Sequence, residues 1–404
     1  MTDGVTDKQP GSLRVILTLG TTETIAWASS YYLPAVLAKS IATDLGLSTT
    51  YVFGALTAAL IVSGLIGPRV GHVIDTVGGR GVHCISNLVL AGGLIGLALA
   101  AGPISLASAW LVLGVGMGMG LYDAAFATLT RIYGTAARKP ITGITLIAGF
   151  ASTVGWPVSA WLDVHYGWRT ACLAWAAAHL LLALPLNLTL PRAPAVPSTP
   201  KPAESEPSEE AIASNAARAK RERWAMAAVA YVFAATGFVS TGVSAVLPTM
   251  LTQMGATPAA AILAGTLVGP AQVGARILEA GWLSRYHPLV STQLATLMNP
   301  LGVVALIFGG PLFGPLFAIF YGAGNGILTI ARGTLPLVLF GPEGFGRRVG
   351  ILSLPARGTG AIAPLVMGLL AEYGTAALWA SVVASLSALI ALLLLHANHR
   401  EAHG

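Results

Sequence analysis

Blocks of about 20 or more mostly apolar residues, separated by short polar turns, recur along the whole of this chain and constrain it more than any other feature. A helix of about 20 residues crosses a hydrocarbon core about 30 Å thick. Backbone N–H and C=O groups in lipid must be satisfied within the segment or within a closed barrel. The ten-residue alternation of barrel strands is missing, so the blocks read as helices. Only 9% of the residues are charged and 55% are apolar, against about 25% charged in ordinary soluble domains. A soluble surface cannot be covered with so few charges. The formal charge of +6 does not point to nucleic acid, because the basic residues lie between the blocks, where they set orientation. The first dozen residues are polar. The block behind them is too long and too interrupted for a cleaved signal peptide, so it is expected to stay as a span.

Twelve spans are expected, at about 14–38, 50–72, 83–103, 107–131, 141–163, 170–191, 225–254, 259–281, 289–309, 313–340, 349–373 and 376–397. They define an all-α membrane protein with a six-helix bundle over 1–191, a central loop over 192–223 and a second six-helix bundle over 224–404. With both termini inside, 17 of the 22 Lys and Arg fall on inner segments. That bias predicts cytoplasmic N- and C-termini. Within the loop, Pro194, Pro197, Pro200, Pro202 and Pro207 oppose helix and Glu204, Glu206, Glu209 and Glu210 add charge, so its first half is expected to be disordered. Ala211 to Arg223 reads as a basic helix. It serves either as part of a tether, the preferred reading, or as a surface for anionic headgroups.

The halves repeat. GPRVGHVID from Gly67 is echoed by GPAQVGARILE from Gly269, and GMGLYD from Gly118 by GNGILT from Gly324. Gly143, Pro157, Tyr166 and Gly167 map onto Gly350, Pro364, Tyr373 and Gly374 at a constant spacing. Several ordered matches argue for duplicated, pseudo-symmetric bundles.

Between the second and third spans stands GHVIDTVGGR, with Gly71, Asp75, Gly78 and Arg80. It resembles the loop signature of the major facilitator superfamily, with Thr76 and Gly79 where basic residues are usual. Tyr166-Gly167-Trp168-Arg169 is similar to that superfamily as well, and GFASTVGWP, from Gly149 to Pro157, is weakly similar to the signature of its exporter branch. The resemblance implies alternating access, with the first, fourth, seventh and tenth spans lining a central cavity. Gly71 allows close helix approach. Asp75 is a candidate gate residue that would sit at the positive N-terminal end of the eleventh span, near Arg347 and Arg348. The plainer reading is an ordinary charged loop.

Five charges lie inside spans and several residues from the predicted inner boundary: Glu23, Asp123, Arg276, Arg332 and Arg357. Each would cost ~2.5–3.5 kcal/mol at the bilayer centre, so they are expected to face protein or water. Helical spacing groups Glu23, Trp27 and Tyr31; Gln272, Arg276 and Glu279; and Asn325, Thr329 and Arg332. Arginine offers a planar fork for carboxylate or phosphate. Two acids cannot neutralise three fixed cations, so this count leaves room for an anion. Arg276 with Arg357 also resembles the cation pair of the oxalate and monocarboxylate carriers, Arg357 standing where those carriers have lysine. The expected substrate residues are Trp27, Tyr31, Asn325, Arg276, Arg332 and Arg357. Glu23 and Asp123 are candidate proton carriers; alternatively, they pair with the arginines.

Met250 and Met254 are read as packing in preference to a Cu(I) site, and His179 as a satisfied packing group. Cys84 and Cys172 fall in apolar blocks and imply neither disulfides nor a thiolate metal site. No hydrolase, zinc-protease or phosphate-loop motif is present. The expectation is a monomeric, cofactor-free secondary carrier of a small solute, in a bacterial inner membrane, with no enzymatic activity. The solute is expected to be an organic anion with a proton coupled to it. Drug or metabolite efflux is the alternative, and a non-transporting membrane sensor the remote one.

Overall fold

The computed structural model describes residues 11–192 and 209–401, and no strand occurs among them. The first half contains α1 (Ser12–Ser29), α2 (Leu33–Leu45), α3 (Thr49–Val77), α4 (Gly79–Ala98), α5 (Pro103–Gly120), α6 (Tyr122–Tyr133), α7 (Arg138–Ala148), α8 (Ala151–Ala178) and α9 (Leu184–Leu188). The second contains α10 (Glu209–Gln253), α11 (Pro258–Gly281), α12 (Pro288–Gly309), α13 (Gly314–Phe340), α14 (Phe345–Ala371) and α15 (Ala376–Glu401). Among the described residues, eight helical stretches are long and apolar enough to cross a membrane; Pro103–Leu188 holds three spans and Pro288–Phe340 two. With the broken first span, α1 and α2, this makes twelve. Contacts divide the chain into two units, Met1–Ala193 with Gly341–Gly350, and Pro194–Phe340 with Ile351–Gly404.

Three spans of the first half are interrupted, which hydropathy does not foresee. The first breaks at Ser30, where φ/ψ is −124°/−82°. Pro34 explains the position: in a continuous helix its ring would strike the carbonyl four residues earlier, that of Ser30. The fourth breaks at Leu121, which is extended, and the fifth divides into α7 and the start of α8. In the second half, α10 already begins at Glu209, so part of the segment assigned to the central loop is helix continuous with the seventh span. At 45 residues it measures about 68 Å. The expectation of disorder in the first half of the loop falls mostly outside the described residues.

Helix packing supports the internal duplication. In the first unit α5 meets α3 backbone to backbone: a Cβ on Gly114 would sit 2.5 Å from the Ala59 carbonyl oxygen, and one on Gly118 2.9 Å from that of Ser63. In the second unit Gly322 meets Val268 and Gly326 meets Gln272 in the same way, on α13 and α11. The true register of this repeat therefore pairs Gly116-Met117-Gly118 with Gly324-Asn325-Gly326, two residues from the sequence match. Because the neighbour is backbone, it cannot rotate aside. Gly322→Val is expected to cost about 3 kcal/mol, the upper end for overpacking. Gly265→Ala on α11, which meets nothing within 4 Å, should be neutral or slightly stabilising. Thermal unfolding in detergent separates the two; equal midpoints would refute the close-packing account.

The core is apolar, and so is much of the surface. Leu312 is 84% and Phe308 85% exposed, whereas Glu23, Arg276 and Glu279 are buried. Apolar side chains face outward to lipid and charges turn inward.

Beyond the spans, Arg169 donates to Asp44 and to the Ala100 carbonyl (3.0 Å) and lies 4.3 Å over the Trp168 ring. The hydrogen bond from Arg169 holds the Asp44 carboxyl below its usual range. A carboxylate with a depressed folded value stabilises the fold above its unfolded value, near ~3.9, and loses that contribution as pH falls through the folded value. Arg169→Gln should therefore flatten the acid side of the stability profile below about pH 4, as read by thermal unfolding. A profile unchanged by the substitution would remove this pair from the acid response.

Candidate functional site

In the first unit, Glu23 is 1% exposed on α1, and its carboxylate accepts from Trp27 Nε1 at 3.1 Å. Trp27 is one turn further along the same helix. Asp123 stands in the first turn of α6, directly after the break at Leu121. It is half-buried. A helix N-terminus favours a carboxylate there.

Around Trp27 gathers an aromatic cluster that the sequence reading saw only in part. Its ring centroid lies 5.4 Å from Tyr31, 6.0 Å from Tyr32 and 5.0 Å from Tyr122. Tyr122 stacks on Phe126, and Tyr32 meets Trp156 at 6.1 Å. Tyr32 is five residues from Trp27, off its face in a regular helix. The break widens that turn, with Tyr32 N–H donating to the Trp27 carbonyl at 3.1 Å, and brings the ring round.

In the second unit, Arg276 on α11 is 5% exposed, and its Nη2 donates to Thr329 Oγ1 of α13 at 3.3 Å. Thr329 in turn donates to the Asn325 carbonyl at 2.8 Å. Arg332 and Arg357 are half-buried. Glu279, one turn from Arg276, is 2% exposed. Its burial corrects the charge count made from span positions: the embedded set has three acids and three arginines, with no excess cation overall. The lopsidedness survives by unit, with Glu23 and Asp123 in the first and three arginines beside one glutamate in the second. Asn325 is among the residues that line a small cavity with Asn299 and Tyr321.

The loop signature makes a different kind of contact. Asp75, at the end of α3, accepts from the backbone N–H of Gly346 at 2.8 Å and of Arg347 at 2.9 Å, one through each carboxylate oxygen. Those donors belong to the first turn of α14, whose N-terminal N–H groups have no partner inside the helix. Gly71 makes the approach possible, since a Cβ there would collide with the Gly346 carbonyl. Gly78 turns the chain from α3 into α4 at φ 98°. Arg80 is half-buried in the first turn of α4.

His179 is fully buried, with Nε2 2.8 Å from Ser29 Oγ and Nδ1 2.8 Å from Asn87 Oδ1. Both ring nitrogens are satisfied, and the ring ties α1 to α4. No group of three or more His, Cys, Asp or Glu able to hold a metal occurs among the described residues.

Residues 22–336 match the sequence profile of the Major Facilitator Superfamily. The chain belongs to that family. As a major facilitator protein it is an integral membrane transporter with twelve helices in two halves. A curated relative, described as an uncharacterized 38 kDa protein in the 23S RNA operon of Thermoproteus tenax, is 28% identical over 308 residues, 76% of this chain and 75% of its own. The fold matches the proton:xylose symporter XylE at a TM-score of 0.70 and 15% identity, covering 95% of this chain and 94% of that one. It matches the human organic anion transporter MFSD10 at 0.70 and 16%, covering 96% and 100%. FucP in its outward conformation also matches at 0.70 and 16%, covering 94% and 97%. At such identities the shared property is the fold.

Proposed function

We propose that this major facilitator protein is a secondary active carrier of a small organic anion, working by alternating access with a proton coupled to the anion. The observation that carries the reading is Arg276, a guanidinium 5% exposed inside an apolar helix and bonded to Thr329. Placing a charge there costs several kcal/mol unless it is paired or hydrogen-bonded, so the guanidinium is held for a reason beyond filling lipid-facing space. Arg276, Arg332 and Arg357 supply planar forks for a carboxylate. Trp27, Tyr31 and Asn325 contribute lining. Glu23 and Asp123 exchange the proton, so the load of an anion is offset by a proton gained on the acid side. MFSD10 is described as an organic anion transporter and XylE as a proton:xylose symporter; the choice of solute here rests on this chain's own side chains.

Uptake into proteoliposomes of a panel of mono- and dicarboxylates, under an imposed pH gradient, tests the reading. At least one carboxylate should accumulate, and Arg276→Met should reduce its uptake at least tenfold. Accumulation of none, or uptake indifferent to Arg276, Arg332 and Arg357 together, would exclude the anion. The aromatic cluster around Trp27 favours a second reading, efflux of an amphiphile. A drug panel in the same vesicles then scores where carboxylates do not. The distribution of Lys and Arg further supports cytoplasmic termini.

A further inference from the structure

We infer that a single buried water molecule occupies a small cavity in the core of the second unit, held by Asn299. A cavity of about 10 Å³ lies among α10, α12, α13 and α15, lined by Thr236, Thr296, Asn299, Tyr321, Asn325 and Ser385 with apolar neighbours. That is close to the space one water needs.

The lining asks for a guest that donates hydrogen bonds. Asn299 is 7% exposed, and its Nδ2 donates to the Ser381 carbonyl (3.3 Å), Ser381 Oγ (3.2 Å) and Ser385 Oγ (3.1 Å). The Ser381 carbonyl can only accept, and Ser381 Oγ already gives its proton to the Leu378 carbonyl at 2.7 Å. The amide cannot therefore be flipped. Its Oδ1 is left buried without a hydrogen-bond partner. A second acceptor arises next to it: Pro300 lies inside α12 and has no N–H for the carbonyl four residues back, that of Thr296. The hydroxyl protons of Thr236 and Thr296 are committed to the Val232 and Thr292 carbonyls, at 2.7 and 2.8 Å. Their lone pairs remain.

Two guests fit such a space, a water or a dehydrated monovalent cation. No carboxylate lines the cavity. A dehydrated cation there would have no carboxylate to neutralise it, so the neutral guest is favoured. The water donates to Asn299 Oδ1 and to the Thr296 carbonyl, and accepts from the Asn325 amide or Ser385 hydroxyl.

A structure of the full chain at a resolution that shows ordered water tests this without any solute. A density peak within hydrogen-bond distance of Asn299 Oδ1 is expected in the wild type, and its loss in Asn299→Leu. Should that variant fail to fold, Ser385→Ala serves in its place, with a displaced or weakened peak expected. An empty cavity in the wild type would overturn the inference. So would a thermal midpoint that rises when sodium replaces choline and loses that rise in Ser385→Ala, since the guest would then be the ion. Because no transport is measured, failure here leaves the carrier reading intact, and a protein that carries no anion could still hold the water.

Discussion

Asp75→Ala is expected to free the first turn of α14, with amide exchange of the segment containing Gly346 and Arg347 about thirtyfold faster. The carboxylate accepts from both of those N–H groups, one through each oxygen. Hydrogen bonds to a charged group contribute about 1.5–3 kcal/mol each, less where half-exposed, so a combined loss of about 2 kcal/mol is reasonable. Asp75→Asn keeps one carbonyl acceptor and should lose about half of that. Gly71→Leu should exceed both, because the atoms it would meet are the Gly346 backbone, which cannot rotate away. Hydrogen–deuterium exchange of peptides spanning 341–350 reads all three. Exchange in the order wild type, Asn, Ala, Leu supports a carboxylate latch. Equal exchange in all four would make the loop an ordinary charged turn. We propose that this latch gates the inner side, and uptake by the same variants should then fall in the same order.

The fold was legible because hydrocarbon thickness writes itself into the length of every apolar block. Twelve blocks and their duplication are visible in residue types alone. Helix breaks are not, since hydropathy is a property of side chains and a break is a property of the backbone. Only Pro34 signals one of them, and its effect falls four residues earlier, at Ser30. Part of the aromatic cluster was hidden for the same reason. Trp27 and Tyr31 share a face by spacing, but Tyr32 joins them only through the widened turn, and Tyr122 and Trp156 come from other helices. In the second unit the spacing placed Arg276 on one face of α11 and Thr329 on one face of α13. That the two faces meet follows from Gly322 and Gly326, whose missing side chains let the helices touch. Glu279 shows the limit of such reasoning, because its depth depends on tertiary packing and it entered the charge count only when its burial was seen.

Glu23→Gln is expected to abolish uphill, pH-driven uptake, by about a hundredfold, while leaving exchange of labelled for unlabelled solute within a few-fold of wild type. Glutamine matches glutamate in shape, and its carbonyl oxygen still accepts from Trp27 Nε1, so the aromatic cluster around Trp27 keeps its anchor. What disappears is the capacity to take and give a proton. Trp27 is the one hydrogen-bond donor to this carboxylate among the described residues. A carboxylate so placed is costly as an anion unless a proton or a cation arrives. If the proton is that partner, a side chain fixed in the neutral state can still pass through the exchange half of the cycle but cannot harvest a gradient. The contrast with Arg276→Met is diagnostic, because loss of the anion's own contact should depress uptake and exchange together. Proteoliposomes loaded with the carboxylate that scores in the uptake panel allow both modes to be read in one preparation. PH-driven uptake that survives Glu23→Gln would take this residue out of coupling and pass the role to Asp123. Loss of exchange along with uptake would recast Glu23 as a support for Trp27 and Tyr31.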